Sequence, residues 1–267
     1  MGYMTRHFTK RTDPTLLVEG ARSVISLLYN YYTDKKQQDP CAPVLSIYAY
    51  GKDYHHVMKD KMKRLFDFII REIGEARGRI FVDSAPVLER AWAREAGLGW
   101  IGRNSCLISR RAGSFVFIGE IILDLELEYN RVPVKDLCGS CTRCVDACPT
   151  GAILPERTID SGRCISYQTI ENRGQIPGEL TGKFANRVFG CDICQEVCPW
   201  NRKAPEHDEP AFEPFPGLLE MSREEWHSLD QEKYRRLFSV SAVRRAGYSK
   251  LKSNLAFIEK DPFSEKE

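Results

Sequence analysis

Ten cysteines carry the most chemistry in this 267-residue chain, and eight of them fall between residues 138 and 198. Residues 138–149 run CGSCTRCVDACP, a C-x2-C-x2-C-x3-C-P pattern, and residues 191–199 run CDICQEVCP. Cys164 stands upstream of the second run, whose first thiol is missing. Three thiolates at this spacing fold round one corner of a cubane, while the fourth Cys of such a run ligates the neighbouring cluster. The spacing therefore predicts two interlocked 4Fe-4S clusters. One takes Cys138, Cys141, Cys144 and Cys198, and the other takes Cys148, Cys164, Cys191 and Cys194. Zinc also uses C-x2-C pairs, but its sites join two knuckles separated by a dozen or more residues, not three evenly spaced thiols followed by Cys-Pro. Cys41 and Cys106 stand apart and are expected to be inert small hydrophobes. Two clusters in series deliver one-electron steps to something else, and the residues ahead of them are the expected recipient.

The elements that must position these groups are legible in outline. ARSVISLLYNYY (21–32) and PVLSIYAY (43–50) read as core strands rich in Val, Ile and Tyr. Asp53 is placed to cap a helix whose apolar residues Met58, Met62, Leu65, Phe66, Ile69 and Ile73 recur at spacings of three and four. RIFVD (79–83) reads as a short strand and SAPVLERAWAREAG (84–97) as a helix, so that Asp83 stands at a helix N-terminus. GLGWIGRNS (97–105) reads as a glycine-rich loop, and residues 106–128 as a hairpin turning at Ala112 and Gly113. From about Asn130 the chain changes to short segments punctuated by Cys, Pro and Gly, and a helical tail follows from Ser222 to Ile258. The expected domains are 1–132, 133–221 and 222–267, in an α+β architecture.

Composition sets the outer bounds. With 42% hydrophobic and 28% charged residues the chain is an ordinary globular protein, not a disordered or fibrous one. No apolar run approaches the ~18 residues of a membrane span, and the N-terminus lacks the apolar stretch of a signal peptide. A cytoplasmic protein with no membrane partner is the expectation. The formal net charge of +2 says little by itself, but Lys233, Arg235, Arg236, Arg244, Arg245, Lys250 and Lys252 crowd the tail. Such a tail suits phosphate contacts, or is simply a wet helix face.

Three patches are more polar than packing requires: GKDYHH (51–56), VDSAPVLERAWAREAGLGWIGRN (82–104) and CISYQTIENRG (164–174). Together with the double Cys-Pro motif they resemble the epoxyqueuosine reductases, the cobalamin- and iron-sulfur-dependent enzymes of queuosine-tRNA synthesis. The resemblance runs from about Met4 to about Phe257. It implies an N-terminal cobalamin-binding domain similar to that of reductive dehalogenases, then a bacterial-ferredoxin-like domain feeding electrons to cobalt, then the short helical tail. It also implies a tRNA carrying epoxyqueuosine as substrate, an external electron donor as partner, and a monomer. Asp83 matches the family's proton donor. His55 is read either as a catalytic partner or as a capping or solvent-facing side chain, with His56 facing elsewhere. Tyr54, Gly99, Trp100, Gly102, Arg103, Asn104, Ser105 and Tyr167 are assigned to the cofactor, and Tyr167, Asn172 and Arg173 to the substrate entrance. Members of the family usually carry a helical segment ahead of the point where this chain begins, and many continue into helical repeats after its end, so part of the first domain is expected to be missing.

Two other functions compete. A reductive dehalogenase-like reductase of a small molecule would use the same cofactors on another substrate class. A plain electron carrier would need the clusters but neither VDSAPVLER nor GLGWIGRN.

Overall fold

The computed structural model describes residues 6–130 and 134–260. In chain order its elements are α1 (Phe8–Thr12), β1 (Ser23–Asn30), β2 (Val44–Leu45), α2 (Tyr54–Ile73), β3 (Gly78–Phe81), α3 (Glu89–Glu95), β4 (Trp100–Ile101), β5 (Leu107–Ile108), β6 (Val116–Leu123), α4 (Arg143–Asp146), α5 (Ile165–Ile170), β7 (Arg187–Phe189), α6 (Ile193–Glu196), α7 (Arg223–His227), α8 (Gln231–Phe238) and α9 (Tyr248–Ile258). Helix and sheet are mixed, as the α+β reading requires. Two compact units are formed. The first takes the described residues up to Asn30, then Tyr54–Gly102 and Cys106–Gly139; the second takes Tyr31–Asp53, Arg103–Ser105 and the described residues from Ser140 onward. The expected boundary between residues 132 and 133 lies outside the described residues.

The first unit is built on an antiparallel sheet of order β1-β6-β3. Residues of β6 alternate between two covered faces, which is why VFIGEIIL reads as an almost continuous apolar run. Phe117, Gly119, Ile121 and Leu123 share the face under α2. There Tyr54 stacks on Phe117 with ring centroids 4.1 Å apart. Gly119 lets α2 come close, since a Cβ at that position would sit 2.5 Å from the Met62 sulfur. On the opposite face Ile122 packs with Phe81, Val87 and Trp92 beneath α3. Ile121, Ile122 and Leu123 are all 0% exposed, and burying each aliphatic side chain is worth roughly 1.5–3 kcal/mol.

Three local expectations are corrected. PVLSIYAY contributes only the two-residue β2, and Ile47–Ala49 turns into a 3-10 helix. The cause is Asp192, whose carboxylate accepts the Ser46 hydroxyl at 2.5 Å and the Ile47 N–H at 2.8 Å, bending the chain out of a strand. The 106–128 hairpin is not one pair of strands, because both edges of β6 are already taken by β1 and β3. β5 pairs with β4 instead (Trp100 opposite Ile108), although the chain does turn back between Ser109 and Gly113. The helix expected from Ser84 begins only at Glu89. Pro86 has no N–H and disfavours the helical region for Ala85. Ser84 N–H bonds back to the Val82 carbonyl and Val87 N–H to that of Ala85. Asp83 is therefore no helix cap; it sits in a tight turn at φ 53°.

The second unit closes round a parallel pairing of β2 with β7. Leu251, Leu255 and Ile258 of α9 share one core with Val188 and Phe189 of β7, Trp226 of α7 and Phe238 of α8. Asn254 fastens α9 from inside that core, donating to the carbonyls of Thr169 and Val188. The tail from Ser222 is helical as expected, and it starts on a capping box between Ser222 and Glu225.

Candidate active site

In the first unit, residues distant in sequence converge at the start of α2 and the turn after β3. His55, in the first turn of α2, is 7% exposed, and its Nε2 lies 3.1 Å from Asp83 Oδ2 and 3.3 Å from Ser84 Oγ. An ionised Asp83 accepts the Nε2–H, and a protonated Asp83 donates its own O–H to a bare Nε2. His55 is thus neither solvent-facing nor a cap, whereas His56 is exposed. Tyr54 lies over His55 with centroids 4.1 Å apart, fixing the imidazole from one side. The Asp83 side chain remains 47% exposed, so an acid group held from beneath can still meet a substrate.

Val82 and Ser84, flanking Asp83, line a cavity of about 510 Å³ whose titratable lining side chains are His7, Lys10, Lys59 and Arg79. All of these are basic, which suits a polyanion. Composition alone could not have located them, because they come from three separate segments of the chain.

The β4–β5 hairpin belongs to the same unit. Gly99 meets the facing strand so closely that a Cβ would stand 2.2 Å from the Ile108 carbonyl oxygen. Trp100 is 2% exposed, and its indole N–H donates to the Cys138 sulfur at 3.4 Å. Gly102 N–H donates to the Cys106 carbonyl. In the second unit, Asn104 is buried, and Ser105, at φ 60°, donates its hydroxyl to the Arg157 carbonyl at 2.7 Å; Arg103 is half-buried. Tyr167 is a half-buried residue of α5. Arg173 is occupied structurally, donating to the carbonyls of Ala246 and Arg245, and Asn172 donates to Gln168 and to the Gln175 carbonyl.

The cysteine motifs adopt the same local form twice in the second unit. Cys141 leads into α4 and Cys191 into α6, through Thr142 (φ −116°, ψ 4°) and Asp192 (φ −106°, ψ 1°). Cys148 and Cys198 each follow their helix and each precede a proline. Where the first motif carries Cys138 the second has Val188, fully buried in β7. Cys164 opens α5, which packs against β7, so a thiol stands beside the strand that lacks one. None of the ten cysteines is in a disulfide. Cys148 Sγ accepts the Ala152 N–H at 3.3 Å, the kind of bond that stabilises a metal-bound thiolate. Burial pushes the Cys191 thiol up to about 12, so a metal bound there must displace its proton. Cys41 is exposed and Cys106 half-buried, both away from the motifs in sequence.

The comparisons with known proteins decide the family. Residues 137–201 match a profile described as a 4Fe-4S double cluster binding domain, and residues 11–84 one described as epoxyqueuosine reductase QueG, DUF1730. An epoxyqueuosine reductase of Cellulophaga algicola is 52% identical over 259 residues, covering 97% of this chain and 84% of the relative. The chain belongs to the epoxyqueuosine reductase family. Another member, from Leadbetterella byssophila, is 53% identical over the same shares of both chains. Among solved structures, an epoxyqueuosine reductase with an epoxyqueuosine-modified tRNA-Tyr stem loop superimposes with TM-score 0.87 at 31% identity, over 96% of this chain and 69% of that one. The Bacillus subtilis member, with TM-score 0.87 at 30% identity, has its catalytic aspartate loop swung out of the active site. The double-cluster profile bears out iron-sulfur over zinc as the reading of the cysteines. No helix among the described residues is long and apolar enough to cross a membrane.

Proposed function

We propose that this chain reduces epoxyqueuosine to queuosine in the anticodon loop of tRNA, with electrons passing through two 4Fe-4S clusters to cobalamin. The carrying observation is Asp83, held by buried His55 and left exposed beside a cavity whose charged lining is basic. Turning an epoxide into an alkene and water takes two electrons and two protons. Asp83 supplies a proton to the departing oxygen, and His55 orients its carboxyl. The cavity residues Lys10 and Lys59 receive phosphates of the substrate. Cobalamin, when bound, would supply a strongly reducing centre for cleavage of the carbon–oxygen bond. Its assigned residues are Tyr54, Gly99, Trp100, Gly102, Arg103, Asn104, Ser105 and Tyr167. The guanidinium of Arg103 and the carboxamide of Asn104 are donors suited to a corrinoid's amide and phosphate periphery, while the Ser105 hydroxyl, which donates to the Arg157 carbonyl, is left to accept. Gly99 and Trp100, enclosed in their hairpin, act as support. The two cysteine sets follow the spacing: Cys138, Cys141, Cys144 and Cys198 for one cluster, Cys148, Cys164, Cys191 and Cys194 for the other.

In this reading residues 1–132 form the catalytic domain, 133–221 the two-cluster domain and 222–267 the basic tail. The protein works as a cytoplasmic monomer fed by an external electron donor. The deciding experiment loads the protein with iron, sulfide and cobalamin, adds a low-potential reductant and supplies epoxyqueuosine-containing tRNA. Queuosine should appear in the digested tRNA. Retention of FMN with no uptake of cobalamin in equilibrium dialysis would remove the cofactor assignment. Turnover of a small organohalide with the tRNA left untouched would replace the substrate.

A further inference from the structure

Trp100 opens β4, is 2% exposed, and turns its one polar atom onto a cysteine sulfur: the indole Nε1–H donates to Cys138 Sγ at 3.4 Å. Trp100 and Cys138 belong to the same unit of the fold, 38 positions apart in sequence. The chain fixes both ends of this bond. Trp100 pairs with Ile108 across the hairpin, and Gly99 before it approaches the Ile108 carbonyl more closely than any Cβ allows. At the other end the Cys138 N–H donates to Asp136 Oδ1 at 2.8 Å, a local turn that presents the thiol.

An indole N–H can only donate, and a buried donor without a good acceptor is costly. A thiol sulfur answers that need poorly, being a weak acceptor. A thiolate bound to iron answers it well, because a hydrogen bond to a charged acceptor is about twice as strong as a neutral one. Burial strengthens the bond further, since water is kept from competing and the local dielectric is low.

We propose that Trp100 sets the reduction potential of the cluster that Cys138 ligates, its indole N–H favouring the reduced state. The inference deepens the functional reading and rests on Cys138 being a cluster ligand. One electron from the external donor enters the cubane and adds one negative charge, shared among irons, sulfides and thiolate sulfurs; no covalent bond breaks and no proton moves. The N–H bond to Cys138 is stronger in that more negative state, so it draws the potential upward. The donor can then load this cluster at a less extreme potential than the cluster would require without Trp100. A ring that only filled space would serve as well without its nitrogen.

Two replacements in the full chain remove the N–H in different ways. Trp100→Phe keeps an aromatic ring, and 3-benzothienylalanine at position 100 keeps the whole bicyclic outline with sulfur where the N–H was. The second covers the case in which the smaller phenylalanine does not fold. Each protein is loaded with iron and sulfide, its iron is counted, and the cluster potentials are read by redox titration followed by electron paramagnetic resonance. Both variants should hold about eight irons, like the parent. One of the two clusters should become about tenfold harder to reduce, a fall of about 59 mV for one electron, while the other keeps its parental potential. A folded variant with its iron complete and both potentials parental would overturn the proposal. So would equal falls at both clusters, which report loosened packing and not one lost bond. A parent that takes up zinc in place of iron removes Cys138 as a cluster ligand, and the proposal with it. If the loaded parent leaves epoxyqueuosine tRNA unreduced, the reading of the substrate fails, while the titration still decides the part played by Trp100.

Discussion

At Asp83 two requirements meet that seldom coincide: a side chain open enough to reach a substrate, and a backbone fixed at a conformation few residues adopt. Openness comes from its place past the end of β3, and fixation from His55 on the side chain and from the turn that the Ser84 N–H closes on the Val82 carbonyl. Asparagine tolerates positive φ about as well as aspartate and is nearly its shape, but carries no acidic proton. Asp83→Asn should therefore fold, keep its iron and still bind tRNA. It should lose at least ~100-fold in single-turnover reduction, the low end of what a positioned general acid contributes. Near-normal reduction by this variant would move the proton to another group.

The hairpin and the paired cysteine helices are the elements that set geometry round the site. Gly99 is needed for contact, not for a special φ, because any Cβ there runs into the Ile108 backbone. Gly99→Ala should cost about 1–3 kcal/mol in denaturant unfolding, the usual range for overpacking, whereas the glycine-rich loop expected over residues 97–105 would have cost almost none where the structure forms β4. The helices α4 and α6 repeat one conformation, and each ends in a Cys-Pro whose thiolate is expected to cross to the other cluster. Reconstituted parent should hold about eight irons, and Cys198→Ala about four if, as proposed, its thiol closes the cluster on Cys138, Cys141 and Cys144. Zinc in either preparation, found by elemental analysis, would refute the assignment.

For the molecule as a whole, the net charge of +2 conceals an uneven placement. Lys10 and Lys59 line the cavity beside Asp83. In the tail Lys233 pairs with Glu225, Lys252 donates to the His227 carbonyl, and Lys250 is half-buried; Arg235, Arg236 and Arg244 are exposed. Each phosphate contact adds about 0.7–0.9 to the slope of log K against log salt. Replacing Lys10 and Lys59 by alanine should flatten that slope by one to two such contacts in tRNA titrations at several ionic strengths. Lys233→Ala should leave it unchanged, since that charge is already spent on Glu225.

The residue pattern alone determined the clusters, because ligand spacing is a local property and Cys-x2-Cys-x2-Cys-x3-Cys-Pro has few other uses. The amphipathic stripe of α2, the continuous apolar run of β6 and the helical tail were legible for the same reason: each is written in consecutive residues. Tertiary structure decided the partners. Nothing in CLIS says that β5 will pair with β4, since that choice follows from β1 and β3 occupying both edges of β6. Nothing in PVLSIYAY shows the distant Asp192 that bends it. The site was legible to the extent of naming Asp83 and His55 through a family motif, but their contact spans 28 positions of sequence and depends on α2 crossing the sheet. Glu120 of β6 escaped notice because a lone acid in an apolar strand reads as a surface charge. Only the folded chain shows it buried, since burial belongs to the assembled layers and not to any one segment.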